Sequence, residues 1–377
     1  MNYFNAGDLI NGKENHGDYF FVFLMVLVPF LFLLQEPIYF LMTFVFFVFY
    51  VIVPINIRID AQSVYFLMVF LFLVSPVIVM AQHGSSHVFY SLLTVFAFFA
   101  AKKASTISLD KLVFSSKIAY WIFALFSLLS YYLYKDELEP FSHVVAGSST
   151  NGIPSYLLVL QISYSLFYFI ENRRFPVKSA VITLLVAILG IGRGSIFSSL
   201  LVLFFTLGYN FYFDILRLAG KRLFFLFLAL VFVFLVIIFN FDFVYAYLAS
   251  STKAFHGISD PYRERIFSEY VQGLSWWQLF LGGTYEGTVI NIQYDDNPHI
   301  AFVRSHAYMG LFYTLIVLFS PFVLFVFKAR LRLKFVFFSF IAVFIFRALS
   351  EPIVFPTTLD FYYFLILWVF VRKRIEF

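Results

Sequence analysis

The chain has 377 residues, 62% of them hydrophobic and only 12% charged, with a mean hydropathy of +0.90. A soluble domain lies nearer half apolar and a quarter charged, so composition excludes an ordinary soluble fold. The absence of cysteine excludes disulfides, thiolate metal sites and a cysteine nucleophile, and the net charge of +5 is no nucleic-acid signal, because the basic residues are distributed as a membrane distributes them.

Residues 1–20, MNYFNAGDLINGKENHGDYF, carry no basic n-region and no small-residue cleavage site, so a retained polar tail is expected rather than a signal peptide. A bilayer core takes about 17–25 apolar residues per helix. On that measure about twelve spans follow, near 19–34, 37–55, 63–80, 88–101, 118–134, 153–170, 179–191, 196–213, 223–240, 306–327, 335–349 and 359–371. The shortest borrow flanking residues or sit in thinned bilayer. Most of the 58 phenylalanines are expected to be lipid-facing bulk.

Orientation follows from Lys and Arg, which stay on the cytoplasmic side. With twelve spans, the clusters Lys102/Lys103/Lys111/Lys117, Arg173/Arg174/Lys178, Arg217/Lys221/Arg222, Lys328/Arg330/Arg332/Lys334 and Arg372/Lys373/Arg374 all fall on one side, with both termini. An odd change in span number would misplace some of them. The expected fold is therefore an all-α polytopic membrane protein, a single integral domain over 1–377. Its external segments are short except for Lys135–Gly152 and for a large loop, 241–304, between the ninth and tenth spans.

Two short features stand on the external side ahead of and behind that loop. Gly192-Arg193-Gly194-Ser195 joins two spans, and an arginine between glycines can offer an anion both its guanidinium and free backbone N–H groups. Arg347 and Glu351, four apart at a helix end, read as a local ion pair.

The loop itself reads as ordered. Asp260-Pro261 is a cap followed by proline at the first helical position. On a helical wheel from there, Tyr262, Ile266, Phe267, Tyr270 and Leu274 form an apolar arc with Arg263 in its middle. Arg265 lies on the polar side with Glu269 four residues on. A guanidinium on a buried face needs an anion, here either a protein carboxylate or a ligand phosphate. Gly282-Gly283 marks a turn or close approach. Asn297-Pro298 repeats the cap-then-proline signature, which places His299 in the first turn of a helix and His306 on the same face two turns deeper. Gly310 would admit another helix or a lipid chain. Asp295, Asp296 and His299 are read as loop chemistry rather than a metal site.

In order and spacing, GRGSIFSSLL (192–201), YRERIFSEYVQGLSWWQLFLGGTYEG (262–287) and NPHIAFVRSHAYMGL (297–311) resemble the O-antigen polymerase family and the related O-antigen ligases. Arg263 matches the family arginine, because Phe267 stands at the aromatic position four residues on. Ile300 stands where the family has asparagine, so His306 is carried beside His299. The resemblance implies a glycosyltransferase of the cytoplasmic (inner) membrane. Its donor and acceptor would be undecaprenyl diphosphate-linked oligosaccharides, with a chain-length regulator as an admissible protein partner and neither metal nor cofactor. Arg193 and Arg263 would hold the diphosphate and His299 would act as base, with Glu264, Asp295 or Asp296 as substitutes. Arg265, Arg304, His306 and Arg347 complete the implied substrate-binding set. The rival within the family is a ligase acting on lipid A core. A flippase for lipid-linked sugars is the rival of another class, and the near-absence of charge within the spans argues against it.

Overall fold

In a computed structural model, residues 16–34, 36–52, 61–80, 83–145, 151–215, 261–326 and 330–372 are described. Among them there is no strand. The helices are α1 (His16–Leu33), α2 (Pro37–Ile52), α3 (Ala61–Met80), α4 (Ser86–Ala104), α5 (Leu109–Leu133), α6 (Gly152–Asn172), α7 (Val177–Leu189) and α8 (Arg193–Ile215). They continue with α9 (Pro261–Gln272), α10 (Gln278–Leu281), α11 (Val289–Tyr294), α12 (Ala301–Phe319), α13 (Leu331–Ala348) and α14 (Asp360–Arg372). Each expected span except the ninth coincides with one of these helices. The ninth, 223–240, lies outside the described residues, as do the tail 1–15, the first part of the large loop and the cap Asp260.

Among the described residues, four helices are long and apolar enough to cross a membrane: α5, α6, α8 over Arg193–Phe213, and α12 with the 3-10 turn that extends it to Phe325. The stretches Tyr19–Leu33, Pro37–Ile52, Val64–Met80 and Val177–Leu189 are apolar but shorter. The molecule is organised around α6, which is buried on all sides and packs against α1, α5, α7, α8, α13 and α14. An all-round apolar helix belongs at a centre. Its buried Gly152, Ser155, Ser163 and Ser165 bring neighbouring backbones near at little volume.

The two ends of the bundle differ in chemistry. At one, Lys102 and Arg372 both lie over the Trp368 ring, and Lys103 donates to the Tyr50 carbonyl, so the ends of α2, α4 and α14 meet there. At the other, the start of α6, the start of α8, the end of α13 and the described part of the large loop come together.

That loop is a small packed unit. Ile266, Tyr270, Tyr285, Val289 and Ile290 form a cluster with Ile300, Val303 and Ala307 at the start of α12. α9 is described from Pro261 to Gln272. Its buried face is rotated from the expected arc: Ile266 and Tyr270 are buried, whereas Tyr262 is 70% and Phe267 55% exposed. The wheel counted every apolar side chain as inward, but the unit is too small to cover both flanks of a helix. Arg263 stays on the inward face, three and seven residues before Ile266 and Tyr270.

α12 is interrupted at Gly310, whose φ of 78° and ψ of 174° no neighbouring helical residue shares. A Cβ there would lie 2.8 Å from the Phe280 carbonyl oxygen and 3.0 Å from Val77. The close neighbour Gly310 admits is thus α10 of the loop. Gly282, with φ of 89°, makes the reciprocal approach, its notional Cβ 2.5 Å from the His306 carbonyl oxygen.

Candidate functional site

The polar end of the bundle is built around Ser350–Pro352, just past α13. Arg347, in the last turn of that helix, is 1% exposed. Its Nε donates to Ser155 Oγ of α6 at 2.9 Å, its Nη1 to Ser350 Oγ at 2.6 Å and its Nη2 to Ser195 Oγ of α8 at 3.2 Å. Nη2 also lies 3.3 Å from Glu351 Oε1. A buried guanidinium needs such a set of acceptors, since its donors lose water on burial. Gly194 makes room for it, because a Cβ at that position would stand 2.8 Å from Nη1. Gly192 is pressed against the Asn151 side chain in the same way, so both glycines of the Gly-Arg-Gly-Ser segment are needed for close approach.

Arg263 arrives from α9 and donates to the same Glu351 oxygen at 3.2 Å. Of the two partners left open by the sequence, a protein carboxylate is the one in place. Arg304, from the first turn of α12, donates to the Pro352 carbonyl at 3.1 Å. Arg193 opens α8 between the two glycines. So Arg263, Arg304 and Arg347 meet around one turn, and Arg193 is carried beside Gly194 and Ser195, which touch Arg347. The Arg347–Glu351 pair expected as a local contact exists but is one limb of this network.

Arg265 faces away from it and bonds Glu269 Oε1 at 2.6 Å on the surface. Glu269 Oε2 accepts the Val289 N–H at 2.8 Å. The Arg265 guanidinium first, and that N–H second, hold the Glu269 carboxyl below its ordinary range.

The two loop histidines depart from expectation. His299 is not in a helix: its φ is +52°, Ile300 after it is extended, and α12 starts at Ala301. Asn297 caps this turn locally, its side chain accepting the His299 N–H at 3.2 Å, and spends its oxygen there rather than on a helix beginning at Pro298. The His299 ring packs edge-on against Tyr294 at 4.9 Å, so it shares no helical face with His306.

His306 is buried and held at both nitrogens. Nε2–H donates to the Leu279 carbonyl at 2.7 Å, and Nδ1 accepts from the Tyr270 hydroxyl at 2.8 Å. That hydroxyl in turn accepts the Gly283 N–H at 3.2 Å, and burial raises the Tyr270 phenol well above its ordinary pKa. A carbonyl can only accept, which fixes the neutral tautomer. His306 thus bolts α9, α10 and α12 together.

Sequence reasoning missed Ser155, which looks like any serine in an apolar helix, and a second bolt made by His83 and His87. His83 Nε2 donates to the Gly283 carbonyl at 3.0 Å. Its backbone N–H donates to His87 Nε2 at 2.9 Å, and His87 Nδ1 donates to the Tyr308 carbonyl at 3.0 Å. Burial lowers the pKa of His83 below its ordinary 6.5. Two histidines four apart around Gly-Ser-Ser at a helix start were the available signal.

Among the described residues no group of three His, Asp or Glu is arranged to hold a metal ion. Asp296 accepts from the Asn291 side chain at 3.0 Å. Comparison with family models, curated proteins and solved structures yields no match.

Proposed function

We propose that this chain is a surface-polysaccharide polymerase of the O-antigen type, a membrane glycosyltransferase working at the outer leaflet of the cytoplasmic membrane. On this reading residues 223–240 complete a set of twelve spans, the basic clusters face the cytoplasm, and the Arg347 end of the bundle faces out. The observation that carries the reading is that two of the three motifs behind the family resemblance, GRGS at 192–195 and YRERIF at 262–267, come to the same turn through Arg347 and Glu351. Nothing in their sequence separation requires that.

The chemistry that suits the site is displacement at an anomeric carbon. The acceptor sugar's hydroxyl oxygen bonds the anomeric carbon while the bond from that carbon to the undecaprenyl diphosphate oxygen breaks, and the diphosphate leaves with the electron pair. Direct attack inverts the anomeric centre. Charge develops on the leaving group, so Arg193 and Arg263 serve best there, because preorganised cations act most strongly where charge appears. Arg347 positions the segment carrying Arg193 and does not itself reach substrate. His299, at the rim and outside the helix, takes the acceptor proton.

The test is genetic and biochemical. Arg193→Ala, Arg263→Ala and His299→Ala, each checked for expression, are expected to collapse the long-chain polysaccharide ladder to single repeats, with Arg265→Ala much milder. Normal ladders in all three would sink the assignment. Complete loss of surface glycan with accumulation of lipid-linked polymer would assign the ligase reaction instead.

A further inference from the structure

Glu351 is in an unusual position for a salt-bridge partner. One of its oxygens, Oε1, faces two guanidiniums, Arg263 at 3.2 Å and Arg347 at 3.3 Å. Both distances are longer than the 2.7–2.9 Å of a tight charge-assisted pair. The two arginines differ in burial and in the element that carries them. Arg347 is 1% exposed and is also bonded to Ser155, Ser195 and Ser350, so it stays fixed whatever Glu351 does. The Arg263 side chain is 25% exposed and stands on α9, part of the loop unit rather than of the bundle. Arg304 donates to the carbonyl of the very next residue, which adds positive charge beside the carboxylate.

A single carboxylate shared loosely between a fixed cation and an exposed one resembles a resident counter-ion. Without it, two guanidiniums would face each other in a partly dewatered site, which is costly. A diphosphate offers more charge and more acceptor oxygens than a carboxylate, and arginine forks suit it.

We propose that Glu351 holds the place of the substrate's diphosphate in the empty protein, and that an arriving diphosphate displaces it from Arg263 while Arg347 keeps its grip. This rests on the functional reading above only for the identity of the ligand. The exchange itself couples occupancy of the anion site to how firmly α9 is tied to the end of α13.

The test measures binding of inorganic pyrophosphate and of farnesyl diphosphate to the purified full-length protein in detergent, for wild type, R263A, E351Q and R263A/E351Q. If Glu351 competes for Arg263, removing its charge makes both probes bind about tenfold more tightly, since the competing state no longer taxes the apparent affinity. R263A should weaken binding, and E351Q should bring no gain in the R263A background. Should E351Q fail to fold, E351D, which withdraws the carboxylate by one methylene, takes its place with the same expected direction. Unchanged or weaker binding by the Glu351 variant overturns the exchange. An equal gain with and without Arg263 overturns it too, because that would be general electrostatics. Tighter binding of farnesyl diphosphate than pyrophosphate to wild type assigns the ligand to a lipid, and the reverse assigns it to free diphosphate, with the exchange standing in both. Normal polysaccharide ladders in R193A, R263A and H299A alongside these binding results would remove the polymerase reading and leave the exchange intact.

Discussion

At the scale of single residues, the site depends on how Arg347 is paid its lost hydration. Three serine hydroxyls and one carboxylate oxygen surround it, drawn from α6, α8 and the turn after α13. Truncating the guanidinium would leave Glu351 with Arg263 as its ion-pair partner and take a donor from Ser155, Ser195 and Ser350, the first two of them buried. Arg347→Ala is therefore expected to cost about 3–5 kcal/mol, the range for breaking a buried pair. The check is the thermal midpoint in detergent, and a midpoint within a degree of wild type would contradict this account. Gly194→Ala presses a methyl against Nη1 at 2.8 Å and should lose about 1–3 kcal/mol through overpacking. Arg265→Ala, by contrast, removes an exposed pair of the kind that contributes little, and its midpoint should stay near wild type.

At the scale of elements, the loop unit is bolted to the bundle by histidines and phenols rather than by apolar area alone. Tyr270→Phe removes the hydroxyl that joins His306 Nδ1 to the Gly283 N–H. Leaving both groups buried and unmet should cost about 1–3 kcal/mol, seen as faster hydrogen exchange in peptides over 278–285. His83 adds a pH dependence to the same junction. Its folded pKa lies below 6.5, so the folded form binds fewer protons than the unfolded one in that window. The contribution is fully present above about pH 6.5 and is lost as pH falls toward the lowered value. Protection factors over 278–290, which discount the base-catalysed intrinsic rate, should therefore fall between pH 7.5 and 5.5, and His83→Gln should flatten that response. A response that survives the substitution would place the titration elsewhere.

At the scale of the whole molecule, the proposed twelve-span arrangement makes a direct prediction that the absence of native cysteine leaves easy to read. A single cysteine at Gln293, exposed in the loop, should react with a membrane-impermeant maleimide in intact cells. One at Lys178, exposed in the first turn of α7, should react only after permeabilisation. The opposite labelling would invert the orientation and remove the arginine site from the outer leaflet. The same arrangement explains why the basic residues at the Trp368 end and the arginines around Glu351 are chemically different populations. The first meet aromatic faces and backbone carbonyls at a helix end, and the second meet hydroxyls and a carboxylate in a built network.

The described helices, their approximate limits and the ordered character of the loop over residues 261–304 were legible in the sequence, because hydropathy over long windows reports on local physics that needs no partner. So was the inward placement of Arg263, from a wheel, and the Arg265–Glu269 pair, from a spacing of four. The identity of Arg263's partner was not legible, since Glu351 lies 88 positions away and only packing brings them together. Nor were the roles of Ser155, His83 and His306, whose side chains acquire meaning from the carbonyls and guanidinium they meet. His299 failed as a helical residue for a related reason: its turn is decided by a left-handed backbone and a local Asn297 bond, in competition with a cap signature that the sequence shows equally well. Local periodicity and composition thus determine which segments are helices and which charges pair within one, while the tertiary structure alone decides which charges from distant segments face one another, because that depends on distances the chain covers only after it folds.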